Sequence, residues 1–431
     1  MFENISRLLC LAAIPAFVHA QGRTPQKTAP LLLTHATLID MTGGPPRANT
    51  TLVIRDGRIA AIYPDGSQPA PADATARDLN GEFLLPGLID AHVHNATEPS
   101  GGDRRSVVEA RLKRAVRGGV VAVRDMGGDA RALADLARAA AAGDIESPEI
   151  RYSAIMAGPD FFTDPRVLAS SVGVPPGTAA WAKALTDTTD LRQAVAEAKG
   201  AGATAIKMYA DLNGALAKRA AAEAKRQGLG VWAHLATFPA KPSEMVDAGV
   251  QVVSHELLVP FEVQTLPSWK DRRRVDLSIA PDDAKIQRLF ALMKSKRTIF
   301  DPTLFVYRAD SSASDTSLAK RSERRAIDVV RAAHAAGVLI AAGTDGMLRD
   351  SGTGLPNVHV EMEMLVRAGL TPLEALTAAT RMNATVLGIS ASHGTIEVGK
   401  AADLVVLSAN PLTDIRNTQR ISLVVRRGKI L

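Results

Sequence analysis

The sequence predicts an α/β protein, a (β/α)8 barrel carrying a small β-sandwich built from the N- and C-terminal segments. Three observations lead there. Eight short β-branched runs alternate with Ala-rich helical stretches through the middle of the chain. Both ends are instead β-rich, and each is too small to bury a core alone, so the two are expected to pair. Several of the central runs also end in a histidine or an aspartate, and the C-terminal ends of barrel strands are where side chains gather at a barrel mouth. A doubly wound open sheet would need a glycine-rich phosphate turn after its first strand, and none is present: Gly87 precedes that strand's end and His92 follows it.

In chain order, residues 1–20 read as a secretory signal. Arg7 supplies a positive start, Leu8–Val18 an apolar stretch, and Val18-His19-Ala20 the small residues of a cleavage site, so a periplasmic or secreted protein cleaved after Ala20 is expected. Leu31–Ile39, Thr51–Ile54 and Arg58–Tyr63 are strand-like runs punctuated by Gly43-Gly44-Pro45-Pro46 and Asp56-Gly57. Thr395–Val398, Leu404–Leu407 and Ser422–Ile430 repeat that texture at the other end. Segments 31–85 and 395–431 are therefore assigned to one split sandwich domain and 86–394 to the barrel. The eight barrel strands are expected at Phe83–Asp90, Val120–Asp125, Glu149–Ala157, Thr204–Tyr209, Gly230–Leu235, Val250–His255, Thr298–Thr303 and Val338–Asp345. Helices are expected at Val107–Arg117, Ala130–Ala142, Leu191–Gly200, Gly214–Gln227, Asp282–Lys296 and Arg321–Ala336.

Composition narrows the chemistry. The 431 residues carry 51 basic and 45 acidic side chains, a net charge of +6 without the basic stripe that nucleic-acid binding requires. No apolar run of about 18 residues supplies a membrane span. The single cysteine, Cys10, excludes a disulfide framework and a cysteine-rich zinc site. Metal chemistry, if present, rests on His, Asp, Glu and Lys, and there are nine histidines.

The first barrel strand runs Pro86-Gly87-Leu88-Ile89-Asp90-Ala91-His92-Val93-His94. Residues two apart on a strand share a face, so His92 and His94 can both enter the mouth as paired metal ligands. Strands five, six and eight are apolar runs that end in His234, His255 and Asp345. Burying such groups without partners is costly, which favours a common purpose for the five. Strand four places Lys207 in the apolar run Ala205-Ile206-Lys207-Met208-Tyr209. It either snorkels to solvent or to Asp211, or is desolvated until its neutral amine combines with carbon dioxide. The carbamate, N6-carboxylysine, could bridge one metal held by His92, His94 and Asp345 and a second held by His234 and His255. For each of these residues taken singly, a hydrogen-bonded structural role stays open.

These motifs resemble the amidohydrolase superfamily from Leu31 to Leu431. The resemblance rests on the Pro86–His94 strand, Gly343-Thr344-Asp345, Gly369-Leu370-Thr371-Pro372-Leu373-Glu374-Ala375-Leu376, Ala379-Thr380, and the tail from Gly394 through Val406. It implies a metal-dependent barrel with a split sandwich. Lys207 in its setting resembles the binuclear, carboxylated-lysine subgroup that includes prolidase-like dipeptidases and ochratoxin amidases. The region around His234 and His255 resembles the imidazolonepropionase-like branch. Mononuclear deaminases of the superfamily carry a Glu three residues after the strand-five histidine; Thr237 stands there, which argues against deamination.

The expectation that follows is an exported hydrolase of an amide bond, in a dipeptide or an N-acyl amino acid, with two divalent ions, zinc being the natural choice and manganese or cobalt also fitting. Two cations ~3.5–4 Å apart would hold a bridging hydroxide, with Asp345 as the proton acceptor and donor. A lactone or other ester is the alternative substrate, and a metal-free extracytoplasmic binding protein is the alternative from another class. Tyr209 is a candidate substrate contact. Arg308 and Arg349 on mouth loops are either carboxylate contacts or solvated surface residues. The Gly158–Asp190 segment is either a lid or a surface insertion. Arg124-Asp125 is expected to form a buried ion pair, and His35, His334, His359 and His393 are read as structural. A homo-oligomer is compatible with all of this.

Overall fold

A computed structural model of the chain describes residues 29–95, 104–266, 268–309, 312, 314, 317–346 and 354–431. The expected signal, with Cys10, and Arg349 lie outside them. Eight strands form the expected parallel sheet: Leu88–Val93, Val120–Asp125, Glu149–Ala157, Ala205–Met208, Gly230–His234, Val252–Ser254, Ile299–Asp301 and Leu339–Ile340, each paired with the next. The eighth meets the first through Ala91 N–H to Ala342 O (3.2 Å) and His94 N–H to Gly346 O (2.8 Å). Asn383 clamps that seam from beneath. Its Nδ2 donates to Ile89 O and Ala342 O (2.6 Å each), and its Oδ1 accepts from the Ala342 N–H at 3.2 Å. The clamp ties the strand carrying His92 to the segment leading to Asp345.

Helices cover the sheet where the 3.6-residue apolar pattern places them. Ala130–Ala142 starts at Asp129, whose carboxylate accepts from Arg131 N–H, and stops at Gly143 with φ 84°. Gly214–Arg226 is capped by Asn213, and its small buried face of Ala217, Ala220, Ala221 and Ala224 lets the helix approach the strands closely. A short helix, Pro242–Asp247, which the pattern did not announce, joins strands five and six.

A second, eight-stranded sheet combines the two ends of the chain. Its order runs from Lys429–Ile430 through Ile421–Arg426, Leu404–Leu407, Phe83–Pro86 and Leu31–Leu38 to Arg47–Arg55 and Arg58–Pro64, with Thr75–Asp78 also beside Leu31–Leu38. It encloses its own core of Leu33, Leu52, Ile59, Leu84, Leu404 and Val425.

Two expectations about strands need correction. The expected strand Phe83–Asp90 is divided: Phe83–Pro86 pairs antiparallel with Leu404–Leu407 in the small sheet, and the barrel strand begins at Leu88. Gly87 is the hinge, because a Cβ there would lie 2.2 Å from Val121 Cγ1. Thr395–Val398 is not a strand. Gly394 (φ 89°) and Gly399 (φ 91°) turn the chain on either side, and Ile396 reaches Asp40 O through its N–H (2.9 Å) while its side chain fills the small core.

The Gly158–Asp190 segment has structure of its own, with the short helix Pro165–Ala169 and a strand, Ala182–Ala184, that pairs with the end of strand three. Phe161 and Phe162 are buried, and Trp181 donates its indole N–H to Ser170 O at 2.9 Å. The segment is a packed wall of the mouth.

Candidate metal centre

The barrel brings the six predicted side chains together. His92 is buried and His94 half-buried at the end of strand one. Lys207 is fully buried in strand four, and His234 and His255 are buried where strands five and six end. Asp345 follows strand eight. His94 Nε2 lies 2.9 Å and His92 Nε2 3.3 Å from Asp345 Oδ1. His255 Nδ1 lies 4.0 Å from Asp345 Oδ2, and its ring centroid is 4.7 Å from that of His234 and 5.3 Å from that of His92. Lys207 Nζ meets Ser254 Oγ at 2.9 Å.

Backbone geometry aims several of these groups. His255 (φ 78°) and Asp345 (φ 51°) both have left-handed backbone, uncommon for residues with a Cβ. Each kink is held by a bond to the adjoining strand: His255 N–H to Asp301 O (3.0 Å) and Asp345 N–H to His92 O (2.8 Å). Asp90 supports the same corner by accepting from Thr344 Oγ1 at 2.8 Å and from Thr344 N–H at 3.1 Å.

The Nδ1 atoms of His92 and His234 face away from the centre and are occupied. His92 Nδ1 bonds Asp301 Oδ2 at 2.6 Å and His234 Nδ1 bonds Tyr209 O at 2.7 Å, whereas His255 Nδ1, which also approaches Asp345, meets Thr303 Oγ1 at 3.0 Å. A carbonyl or carboxylate on Nδ1 fixes the proton there and leaves Nε2 as the lone pair offered inward, an arrangement typical of metal-binding histidines. The ligand atoms of His92, His94 and Asp345 all lie within 4.8 Å of one another.

Electrostatics agree with a donor set for cations. Burial lowers the Lys207 ammonium to about 7, against the opposing pull of Asp301 and Asp345. Burial first, with the Lys207 charge adding to it, holds His234 and His255 well below the ordinary imidazole range, so both are neutral donors. Burial opposes charge on His92 too, but Asp301 and Asp345 outweigh it and raise its pKa. Burial likewise opposes the Asp345 carboxylate, yet His92 and the hydrogen bond from His94 keep it well below the usual range.

Asp301 is the residue that the sequence reading passed over. It ends strand seven as Asp345 follows strand eight, so the rule that flagged the other strand ends applies equally to Thr298-Ile299-Phe300-Asp301. It is fully buried, its Oδ1 has no hydrogen-bond partner, and a Cβ on Gly343 would fall 2.4 Å from that oxygen and 2.5 Å from His92 Cβ. Glycine at 343 is what lets Asp301 and His92 meet.

Other expectations fare differently. Tyr209 lines the cavity with its ring, since its hydroxyl donates to Met126 O at 2.6 Å. Arg124 and Asp125 do not form the expected ion pair with each other. Asp125 accepts the Asn95 and Gly127 N–H groups, and the Arg124 guanidinium lies over Trp232 at 5.1 Å with Nε and Nη1 unpartnered. Neighbours on a strand point to opposite faces, which explains why the two cannot meet. The histidines read as structural have partners far from the centre: His35 with Asp78, His334 with Glu374, His359 with Gly118 O and Thr418, and His393 with Asp403. Arg308 is exposed beside Phe305.

Above the centre opens a cavity of about 540 Å³. Phe161, Tyr209, Trp269 and Tyr307 stand on its wall beside aliphatic residues such as Leu257 and Leu258. Trp269 stacks on His234 at 4.6 Å and 17°, Phe161 lies 5.1 Å from Tyr209, and Tyr307 closes another side. Of these aromatics only Tyr209 stands where the sequence pattern expects it; Phe161 and Trp269 belong to long segments after strands three and six and carry no motif.

Comparison with known proteins places this architecture. The sequence profile described as "Amidohydrolase family" matches residues 83–431. The chain is 26% identical to ochratoxinase of Aspergillus niger, with 98% of this chain and 92% of that one aligned. A local match to imidazolonepropionase of Paracoccus denitrificans is 46% identical over 87 residues and spans only 21% of that relative's length. Among solved structures, a putative prolidase from Bifidobacterium longum superposes with a TM-score of 0.69 at 27% identity, covering 94% of this chain and 95% of that one. With the profile matched over most of its length, the chain belongs to the amidohydrolase family.

Proposed function

We propose that the protein is a metal-dependent hydrolase of an amide bond, exported from the cytoplasm, with His92, His94 and Asp345 holding one divalent cation, His234 and His255 a second, and Lys207 joining the two as its carbamate. The observation that carries this reading is the convergence of the six groups with the outward Nδ1 atoms of His92 and His234 already engaged. Lys207 suits carbamate formation because burial lowers its pKa to about 7, leaving a substantial neutral fraction near neutrality. Its Nζ lone pair adds to the carbon of carbon dioxide; the N–C bond forms as one C=O π bond opens onto its oxygen, and the amine proton passes to water. N/O donors of this kind fit zinc, with manganese or cobalt as alternatives.

Divalent cations in such a site supply Lewis acidity for a carbonyl and lower the pKa of water toward neutrality. The chain's residues do the rest. Asp345 faces the cavity, so its carboxylate can take the proton of an attacking water and return it to the departing nitrogen. Asp301 keeps the His92 proton on Nδ1. The aromatic wall excludes water and orients the substrate by its apolar part.

Metal analysis of the purified protein, followed by chelation and reconstitution, tests the proposal. Two equivalents of metal, activity abolished by chelator and restored by zinc, and loss of metal in Lys207→Met are expected. A protein without stoichiometric metal, or with hydrolysis indifferent to chelator, would overturn it. A panel of dipeptides, N-acyl amino acids and lactones then separates amide from ester cleavage.

A further inference from the structure

Two fully buried side chains inside the barrel keep N–H groups that meet no acceptor among the described residues: Arg124 at Nε and Nη1, and Trp232 at Nε1. Trp232 stands two residues before His234 on strand five, so the two share the inward face and the indole lies one layer beneath the ligands. Its ring meets the His92 ring edge-on at 6.1 Å. Arg124 reaches the same indole from strand two, with its Cζ 5.1 Å from the ring centroid. Trp232 otherwise belongs to an apolar cluster with Ile89, Ala122, Val252 and Ile299. Neither Arg124 nor Trp232 lines the cavity above the centre, so a substrate held there does not reach them.

The charge is as unanswered as the donors. Burial, with the nearby Arg151 charge adding to it, lowers the Arg124 guanidinium to about 9, which still leaves it a cation at neutral pH. No carboxylate acts on it among the described residues. Asp125 turns to the opposite face and accepts the Asn95 and Gly127 N–H groups, Asp90 accepts from Thr344, and Glu149 is held by Arg151 Nε at 2.7 Å. A cation–π contact returns only part of the hydration that a buried guanidinium gives up, and Lys207 Nζ already lies 5.9 Å over the same ring. Water accepts an N–H but carries no charge to set against the guanidinium.

We propose that the barrel interior binds one small monovalent anion, a halide of the chloride class, held by the Arg124 guanidinium and the Trp232 indole N–H. The surroundings favour a monatomic ion over an oxyanion. Donors are few and the rest of the lining is apolar, so the further oxygens of a sulfate or phosphate would be left unpaired. The ion neutralises the charge beneath Lys207 and holds Trp232 against His92. It is a resident part of the fold, independent of the reaction proposed above.

Crystals of the wild-type protein grown in sodium bromide and measured at the bromine absorption edge read the site directly. An anomalous peak within hydrogen-bonding distance of an Arg124 nitrogen and of Trp232 Nε1 is expected. Donors bonded to water alone, with no peak between them, overturn the proposal. Thermal unfolding at constant ionic strength, with chloride exchanged for bulky gluconate, reads the same ion in solution. The wild-type midpoint should rise by about 1–2 °C for each tenfold increase in chloride above the dissociation constant, because the ion binds only the folded chain. Arg124→Met should abolish that dependence, and Trp232→Phe, which keeps a ring without the N–H, should weaken it. Arg308→Ala, at an exposed position, should leave it intact. A wild-type midpoint indifferent to chloride overturns the proposal. A bromide peak whose chloride dependence persists undiminished in Arg124→Met marks an adventitious ion only and overturns it too. Should Arg124→Met fail to fold, Trp232→Phe and the wild-type bromide crystals decide.

Discussion

Asn383→Ala would open the seam on which the centre depends. The Asn383 side chain makes three hydrogen bonds, to Ile89 O, to Ala342 O and from Ala342 N–H. Truncation leaves Ala342 O with its second donor, the Ala91 N–H at 3.2 Å, so that carbonyl is not orphaned. The Ala342 N–H and the Ile89 carbonyl each lose the partner that Asn383 supplied, in a part of the barrel that is fully buried. At about 1–3 kcal/mol per buried group left unpaired, the expected cost is about 2–6 kcal/mol. Equilibrium urea unfolding followed by circular dichroism reads this as a lower midpoint with an unchanged slope. Because Ile89 is three residues before His92 and Ala342 three before Asp345, the looser seam should also release metal sooner in a chelator competition. A variant whose stability lies within about 0.5 kcal/mol of wild type, the range of an ordinary surface substitution, would refute the clamp.

Other substitutions probe neighbouring features. Asp301→Ala should weaken metal binding by about 10- to 100-fold, as loss of a partner behind a ligand histidine does, whereas Asp301→Asn, which keeps an acceptor, should lose less; chelator competition measures both. Gly343→Ala should destabilise the protein by about 1–3 kcal/mol in urea unfolding, because the new methyl would fall 2.4 Å from Asp301 Oδ1. His359 is buried and lowered to about 4 from 6.5, so the folded state takes its proton later than the unfolded chain does. Stability from this site is complete above pH 6.5 and falls as pH drops toward 4, reaching about 3 kcal/mol at ~1.4 kcal/mol per unit. His359→Gln should flatten that part of the stability profile between pH 7.5 and 4.5, and an unchanged profile would count against the assignment.

The sequence was most readable where one signal governed a residue. Alternation of β-branched and alanine-rich runs gave barrel strands such as Val120–Asp125 and Glu149–Ala157 to the residue, since both are long and bounded by turns. The ligand candidates could be read because each interrupts or ends an apolar run, where a polar group must have a reason. Asp301 obeys the same rule, but the expected strand Thr298–Thr303 runs two residues past it, so the sequence pattern does not set it at a strand end. Periodicity carries strand one through Gly87 because it does not register a change of sheet; the close approach of Val121 reveals it. Trp269, Phe161 and Asn383 act through contacts between segments distant in sequence, and no local pattern encodes those contacts. The failed Arg124–Asp125 pair teaches the reverse, since adjacency in sequence separates side chains on a strand.

The pairing of Phe83–Pro86 with Leu404–Leu407 also has a consequence for the order of events at synthesis. Leu404 sits opposite Pro86, about three hundred residues later in the chain. At ~5–20 residues per second, the ribosome needs roughly 15–60 seconds to deliver the partner strand. During that interval Leu31–Leu38, Arg47–Arg55 and Arg58–Pro64 can form their meander, but Phe83–Pro86 has one bare edge and Leu84 lacks the half of its core that Leu404 and Val425 provide. The nascent chain thus carries an unfinished, sticky sheet until Leu404–Leu407 and Val425 emerge, and a chain truncated before Leu404 would keep that exposed edge permanently.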